Sequence, residues 1–444
     1  MKIDLLIAEI GSTTTLVNAF DNINSANPEF IGQGLAPTSV LKGDVTIGLE
    51  SAISDLEDKL GIADLDWEEF MATSSAAGGL KMTVHGLVKD MTVKAAEEAA
   101  LGAGAVIKMV TAGNMRDSQL EEVLEIKPNI ILLAGGVDYG EEEVIINNAK
   151  KLSSLDLDVP FIYAGNKVLQ KEIKDIFNKK GKNIIIAENV YPEIDRLNIE
   201  ETRSIIHDVF AEHIVRAPGM SNIKPMLSLD MMPTPGAVMK ASQLLKGNIG
   251  NLVTIDVGGA TTDVHSVTED SLNVREILMN PEPEAKRTVE GDLGVYLNAS
   301  HVYDLLENTN DLEKRDDLAP IPRDKEEEEY IYQLAKRAAF TAIERHAGKY
   351  RNFYGPSGRQ TVAEGKDLTA VNWIIGTGGA LTRLEDGEKI VEKLKDFNKR
   401  ALLPPNSASG LIDNDYIMAS MGLMSKKYPK AALKLLKKSL NYNN

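Results

Sequence analysis

Short runs of β-branched and apolar residues alternate with longer stretches of helical periodicity along the first half of this chain. The pattern predicts strands over Asp4–Ile10 and Leu16–Phe20, a helix over Val45–Leu60 and a strand over Glu69–Ser74. Helices over Ala95–Thr111 and Ser118–Ile126 follow, then the strand Asn129–Leu133, the helix Glu141–Ser153 and the strand Pro160–Ala164. A helix over Lys167–Lys179 and a strand over Asn183–Ala187 complete that half, an α/β rhythm with a largely parallel or mixed sheet. Pro-rich Pro225–Pro235 then leads into a helix, Gly236–Leu245, whose small residues Gly236, Ala237 and Ala241 allow close packing. The second half opens at Asn251. Asn308–Lys325 is polar and charged, hence an exposed loop. Glu326–Glu329 opens a long helix running to about Lys349, its acids complementing the helix dipole. Further helices are expected over Glu388–Phe397, Asp415–Met424 and Lys430–Leu440. In the last, Lys434, Lys437 and Lys438 stand opposite Leu433, Leu436 and Leu440, so it either packs on its own domain or docks on an acidic partner or membrane surface.

Chemistry concentrates at strand ends. Val253–Val267 reads as a strand closing in Asp256, a turn of Gly258, Gly259, Thr261 and Thr262, then Asp263 opening a second strand. Ile3–Phe20 has the same grammar: strand, Glu9, Gly11, the hydroxyls of Ser12, Thr13, Thr14 and Thr15, then strand. Glycine turns let backbone N–H groups approach an anion closely, hydroxyls add donors, and a strand-end carboxylate can hold Mg²⁺. A third glycine turn, Trp373–Ala380 with Gly376, Gly378 and Gly379, follows Asp256; a look-alike, Ile130–Gly136, follows Glu9 at nearly the same interval. The spacing reads as an internal duplication, each half having a phosphate hairpin and a later glycine turn.

Composition narrows the field. A net charge of −17 argues against non-specific nucleic-acid binding. The absence of cysteine excludes disulfides, thiolate catalysis and Cys-ligated metal, and fits a reducing cytoplasm. Asp4 and Glu9 interrupt the N-terminal apolar run, so no signal peptide is expected, and no segment has the length of a membrane span. His207 and His213 lack the spacing of a helical metal pair, and no P-loop occurs.

The hairpins and the Gly-Thr-Gly-Gly turn resemble the superfamily of acetate and sugar kinases, DnaK-type chaperones and actin. Gly11–Thr15, Thr73–Met82, Arg287–Gly294 and Ala342–Gly348 are more specific, and over essentially the full length they look like the glutamate mutase-associated MutL family. That family is unrelated to the mismatch-repair protein of the same name. The resemblance implies a two-lobed actin-like ATPase of duplicated ribonuclease H-like domains with nucleotide between the lobes. The lobes would be 1–245 and 246–444, with an inserted helical segment at about 300–365.

The resemblance also implies roles. ATP or ADP would lie on Gly11, Ser12, Thr13, Thr14, Gly258, Gly259, Thr261, Thr262, Gly291, Gly376, Gly378 and Gly379, with Glu344 and Arg345 reaching adenine and ribose. Asp256, Asp263 and Glu9 would be the catalytic acids: Asp256 and Glu9 would hold Mg²⁺, Asp256 alternatively orienting the attacking water, and Asp263 would assist it or cap the hairpin. Glu9 departs from the superfamily's usual Asp, which displaces the carboxylate outward by about one C–C bond, roughly 1.5 Å. The partner implied is an adenosylcobalamin-dependent aminomutase of glutamate, ornithine or lysine type, which the protein would reactivate; homo-oligomerisation stays open. The chain lacks the Asp-x-His-x-x-Gly signature and is not expected to carry cobalamin itself. A small-molecule kinase of the same fold, or a nucleotide-dependent assembly scaffold, are the alternative functions.

Overall fold

A computed structural model describes residues 1–39, 43–75, 80–214, 219–306, 312–355 and 358–442. The chain divides into two compact units. Unit 1 comprises Met1–Ala77, Ile214–Met279 and Glu284–Asn444; unit 2 comprises Gly78–His213 and Asn280–Pro283. Among the described residues no helix is long and apolar enough to cross a membrane.

Unit 1 begins with β1 (Lys2–Ile10), β2 (Thr14–Asp21), β3 (Glu29–Pro37) and β4 (Asp66–Ser74). Unit 2 contributes β5 (Leu80–Gly86), β6 (Ala105–Ala112), β7 (Ile130–Leu133), β8 (Phe161–Tyr163) and β9 (Ile184–Ile186). Back in unit 1 the chain forms β10 (Met232–Pro233), β11 (Leu252–Val257), β12 (Thr262–Val267), β13 (Ala285–Glu290), β14 (Lys349–Gly355), β15 (Gly358–Glu364), β16 (Trp373–Thr377) and β17 (Ser409–Ile412).

The duplication is plain in the sheets of unit 1. One runs β3-β2-β1-β4-β10 and the other β13-β12-β11-β16-β17. In each, the first three strands form an antiparallel meander and the remaining two pair parallel. This is the strand order of a ribonuclease H-like sheet, present twice. Register repeats too: Glu9 stands opposite Thr73 across the parallel pair, and Asp256 opposite Thr377. The expected repeat partner is therefore corrected. Trp373–Ala380 has its counterpart in β4 beside β1, whereas Ile130–Gly136 belongs to the sheet of unit 2. The matching interval is a coincidence, because Ile130–Gly136 lies within 78–213, the segment that forms unit 2.

Each sheet is followed by a helix built for close approach. Pro235 sits in the first turn of the Thr234–Ile249 helix, where its missing N–H costs no intrahelical bond. The Met418–Met424 helix crosses it so tightly that a Cβ on Gly422 would lie 1.8 Å from the carbonyl oxygen of Ala237. Around this crossing Leu5, Ile7, Met71, Leu245, Leu252, Ile375 and Met421 form one core. The tail helix Pro429–Ser439 joins it through Ala432, Leu435 and Leu436, and Lys434 donates to Ala26 O at 2.6 Å, so packing on its own unit accounts for that helix. A separate core lies under the Lys325–His346 helix, whose N-terminus is capped by Asp324 accepting from Glu327 N at 2.9 Å, with Glu326 and Glu328 in the first turn.

Several expectations change. The helix expected over Ala95–Thr111 ends at Gly102, and β6 follows, because Gly104 at φ +91° turns the chain into a β-branched run. The long helix stops at His346 and gives way to the β14–β15 hairpin, so 300–365 is only partly helical. Helix over Glu388–Phe397 is reduced to Gly387–Val391. The boundary expected near 245 falls within unit 1, toward the end of the Thr234–Ile249 helix. Of the expected loop, 312–324 is without helix or strand.

Candidate functional site

The two hairpin turns are built alike. Gly11 N donates to Thr14 O at 2.9 Å, and Gly258 N donates to Thr261 O at 2.9 Å. A Cβ on Gly11 would lie 2.7 Å from that carbonyl, so the turn closes only around glycine. The turns also meet: a Cβ on Gly259 would sit 2.9 Å from Thr13 Oγ1. Among the described residues the backbone N–H groups of Ser12, Thr13, Gly259 and Ala260 find no protein acceptor. Four partly exposed donors in facing turns are the kind of nest that receives an anion.

Acids stand behind the turns. Asp256, at the end of β11, receives no side-chain hydrogen bond among the described residues, and Gly378 closes on it: a Cβ there would lie 2.4 Å from Asp256 Oδ1. Gly378 has φ +85°, so both conformation and space demand glycine. Burial, then the charges of Asp263 and Glu9, push the Asp256 carboxyl from 3.8 up to about 8. Asp263 is fully engaged. Its Oδ1 accepts from Arg287 Nε at 2.8 Å and from Nη2, and its Oδ2 accepts from Thr261 Oγ1 at 3.2 Å.

Glu9 commits one oxygen to another element. Its Oε1 accepts from Ser420 N at 2.9 Å and Ser420 Oγ at 2.6 Å, which ties β1 to the Met418–Met424 helix. Asn18 donates to the same serine at 2.9 Å. The longer carboxylate thus reaches a second element of unit 1. Burial, opposed by the Ser420 hydroxyl and assisted by the charge of Asp413, raises Glu9 from 4.5 to about 7. The folded protein then keeps a proton that the unfolded chain has released, so stability falls as pH rises from about 4.5 to about 7. Glu9→Gln should flatten that slope in thermal melts taken across the window; parallel profiles for the variant and the natural protein would show that Glu9 titrates normally.

Other expected residues divide. Thr13, Gly258, Gly259 and Thr261 gather with Gly11, Gly378 and Asp256. Ser12 spends its hydroxyl on Ser75 O at 2.8 Å, and Thr262 turns inward to Leu293 O at 2.6 Å. Thr14 opens β2 and is partly exposed. Gly376 is a packing glycine under Ile412, Val391 and Leu381; a Cβ on Gly379 would touch the Tyr416 ring at 3.8 Å, whereas Gly291 faces open space. Arg345 bridges Glu290 at 2.7 Å and Asp292 at 2.8 Å, on either side of Gly291, and Glu344 accepts from Asn398 at 2.7 Å. Gly78 and Gly79, within the Thr73–Met82 stretch that carries the family resemblance, lie outside the described residues.

Asp413, Tyr416 and Ser420 were not anticipated. Buried Asp413 accepts from Thr377 Oγ1 at 3.0 Å, Met418 N at 2.8 Å and Ser439 Oγ at 2.6 Å. Its signal was available, since Gly-Leu-Ile-Asp is another apolar strand closing in an acid.

Among the described residues no group of three His, Asp or Glu side chains is disposed to hold a metal ion. That does not conflict with Mg²⁺, which takes one or two carboxylates and completes its shell with water and phosphate oxygens. Asp256 has free acceptor positions and an excess of negative neighbours, so it fits; Glu9 has one oxygen, Oε1, committed to Ser420.

Solved structures with a comparable trace are remote. Nucleotide-free acetone carboxylase is 13% identical with a TM-score of 0.40, covering 95% of this chain and 70% of its own. Nucleotide-free diol dehydratase-reactivating factor is 11% identical with a TM-score of 0.36, covering 96% of this chain and 100% of its own. Neither likeness bears on ligand or partner. Sequence is more decisive. The family model described as MutL protein matches residues 5–440. Protein MutL of Clostridium tetanomorphum is 36% identical over 459 residues, spanning 98% of each chain. A match of that extent, taking in both hairpins and both crossing helices, means that the chain belongs to the MutL family.

Proposed function

We propose that this protein binds and hydrolyses ATP in order to reactivate an adenosylcobalamin-dependent aminomutase of the glutamate, ornithine or lysine type, in the cytoplasm. The observation that carries the nucleotide part is the convergence of two like-built turns, Gly11–Thr14 and Gly258–Thr261, with unpartnered N–H groups beside Asp256. Donors on both turns would grip β- and γ-phosphate oxygens from opposite sheets. Phosphoryl transfer asks mainly for such positioning and charge neutralisation. When bound, Mg²⁺ would supply the positive charge that the acids around Asp256 lack.

Loss of the γ-phosphate would remove contacts on one side of the site and leave those on the other, which biases the two sheets between two arrangements. The Ala237–Gly422 crossing and the Glu9–Ser420 bond are where such a change would be felt. Membership of the MutL family supports the aminomutase as client.

The test is recovery of activity. Inactivated aminomutase is incubated with this protein, Mg²⁺-ATP and fresh adenosylcobalamin, beside a coenzyme-only control and one with a non-hydrolysable ATP analogue. Recovery only in the complete mixture is expected. Recovery equal to the coenzyme-only control would count against the proposal.

A further inference from the structure

In unit 2 the strand order is β6-β5-β7-β8-β9 and every neighbouring pair is parallel, so all five carboxyl ends open on one edge. In open sheets of this order the loops at that edge are where ligands are met. Here the space is filled. A Cβ on Gly165 would lie 2.7 Å from Gly135 O, and one on Gly135 would lie 3.1 Å from Leu87 N. The polar groups also satisfy one another. Asp138 Oδ1 accepts from Lys167 N and Asn189 Nδ2, each at 3.0 Å, and Asn166 Oδ1 accepts from Tyr139 N at 3.0 Å. The edge is a braced surface at these loops.

That surface is apolar where it need not be. Val88, Tyr139, Val168 and Ile194, from the loops after β5, β7, β8 and β9, are 43%, 75%, 46% and 71% exposed. Tyr139 is also held at φ +63°, a conformation that disfavours a bulky side chain. Lys167 Nζ, 4.6 Å from its ring centroid, and the Asn166 hydrogen bond fix it there. An aromatic ring rigidly projected into solvent contributes nothing to its own core; rings of this kind anchor interfaces. The rim is acidic on balance: Asp90, Glu142, Glu188 and Asp195 are exposed, against exposed Lys89, whereas Lys167 and Arg196 are already paired with Asp138 and Glu193.

We propose that the carboxyl edge of unit 2 is a protein-docking surface, with Tyr139 as its anchor, for a partner presenting an apolar pocket ringed by lysine and arginine. Identifying that partner as the aminomutase rests on the function proposed above. An acidic rim opposite a basic one speeds encounter and makes it salt-dependent.

The experiment titrates the purified full chain with purified aminomutase at low and high salt, with ATP and with ADP. The natural protein should bind, more weakly in salt, and Tyr139→Ala and Ile194→Asp should each lower affinity at least about tenfold, the loss expected of an interface anchor. Their nucleotide affinity and melting temperature should stay unchanged. Binding by the Tyr139→Ala/Ile194→Asp double variant equal to that of the natural protein would overturn the docking surface while leaving the reactivation proposal standing. No binding by the natural protein to any of the three aminomutase types, in either nucleotide state, would overturn both.

Discussion

Asp256→Asn is expected to lower ATP turnover by about 10²–10³-fold, the loss typical when one preorganised charged or polar group is removed from a reacting site. The carboxylate stands at the end of β11, pressed by Gly378, with no protein donor among the described residues. Burial and the nearby Asp263 and Glu9 charges raise it to about 8, so the excess of negative charge around it disfavours its ionised form. A cation delivered with the nucleotide would relieve that excess, and the amide could not hold it. Mg²⁺ dependence of ATP affinity should therefore fall together with turnover. Glu9→Gln is the contrast, because Glu9 is bonded to Ser420 and should shift turnover far less. Turnover by Asp256→Asn within a few-fold of the natural rate would move the metal to another group.

Arg287→Met is expected to destabilise the protein by about 3–5 kcal/mol, the cost of leaving a buried charge without its partner. The side chain of Arg287 is 1% exposed and that of Asp263 7%, and the guanidinium meets the carboxylate through both Nε and Nη2. The pair joins β12 to β13 directly behind the second turn, so its loss should also loosen that turn. Adding Asp263→Asn to Arg287→Met should recover most of the stability, since no unpaired charge is then buried. Denaturant melts of the three variants decide it. A single-variant loss well under about 1 kcal/mol, the scale of an exposed pair, would show that water reaches the carboxylate.

The hairpins were legible because their determinants are local. A strand that closes in an acid, then a glycine, then hydroxyls, admits few conformations, and both turns close with the same hydrogen bond. The small residues of the Thr234–Ile249 and Met418–Met424 helices announced close packing for the same reason: without side chains in the way, backbones can touch. Spacing alone misled where an insertion was involved. Ile130–Gly136 has the composition of a repeat partner, yet β4 takes that place by pairing with β1. The Ala95–Thr111 stretch was misread because apolar residues after a helix carry no mark of the strand they enter, apart from Gly102 and Gly104.

Taken by itself, the sequence determined that two glycine–hydroxyl turns follow strand-end acids, that small-residue helices follow later strands, and that no thiol chemistry is available. Local sterics and composition suffice for these, since each concerns neighbours along the chain. Tertiary structure decided which acid does what. Glu9 and Asp256 hold equivalent places in two like sheets, but only the longer one meets Ser420, more than four hundred residues away. Asp263 gains Arg287 across a strand pair, and Asp256 is left beside Gly378 with no protein donor among the described residues. Pairings of that kind come from the packing of distant segments, and no local pattern encodes them.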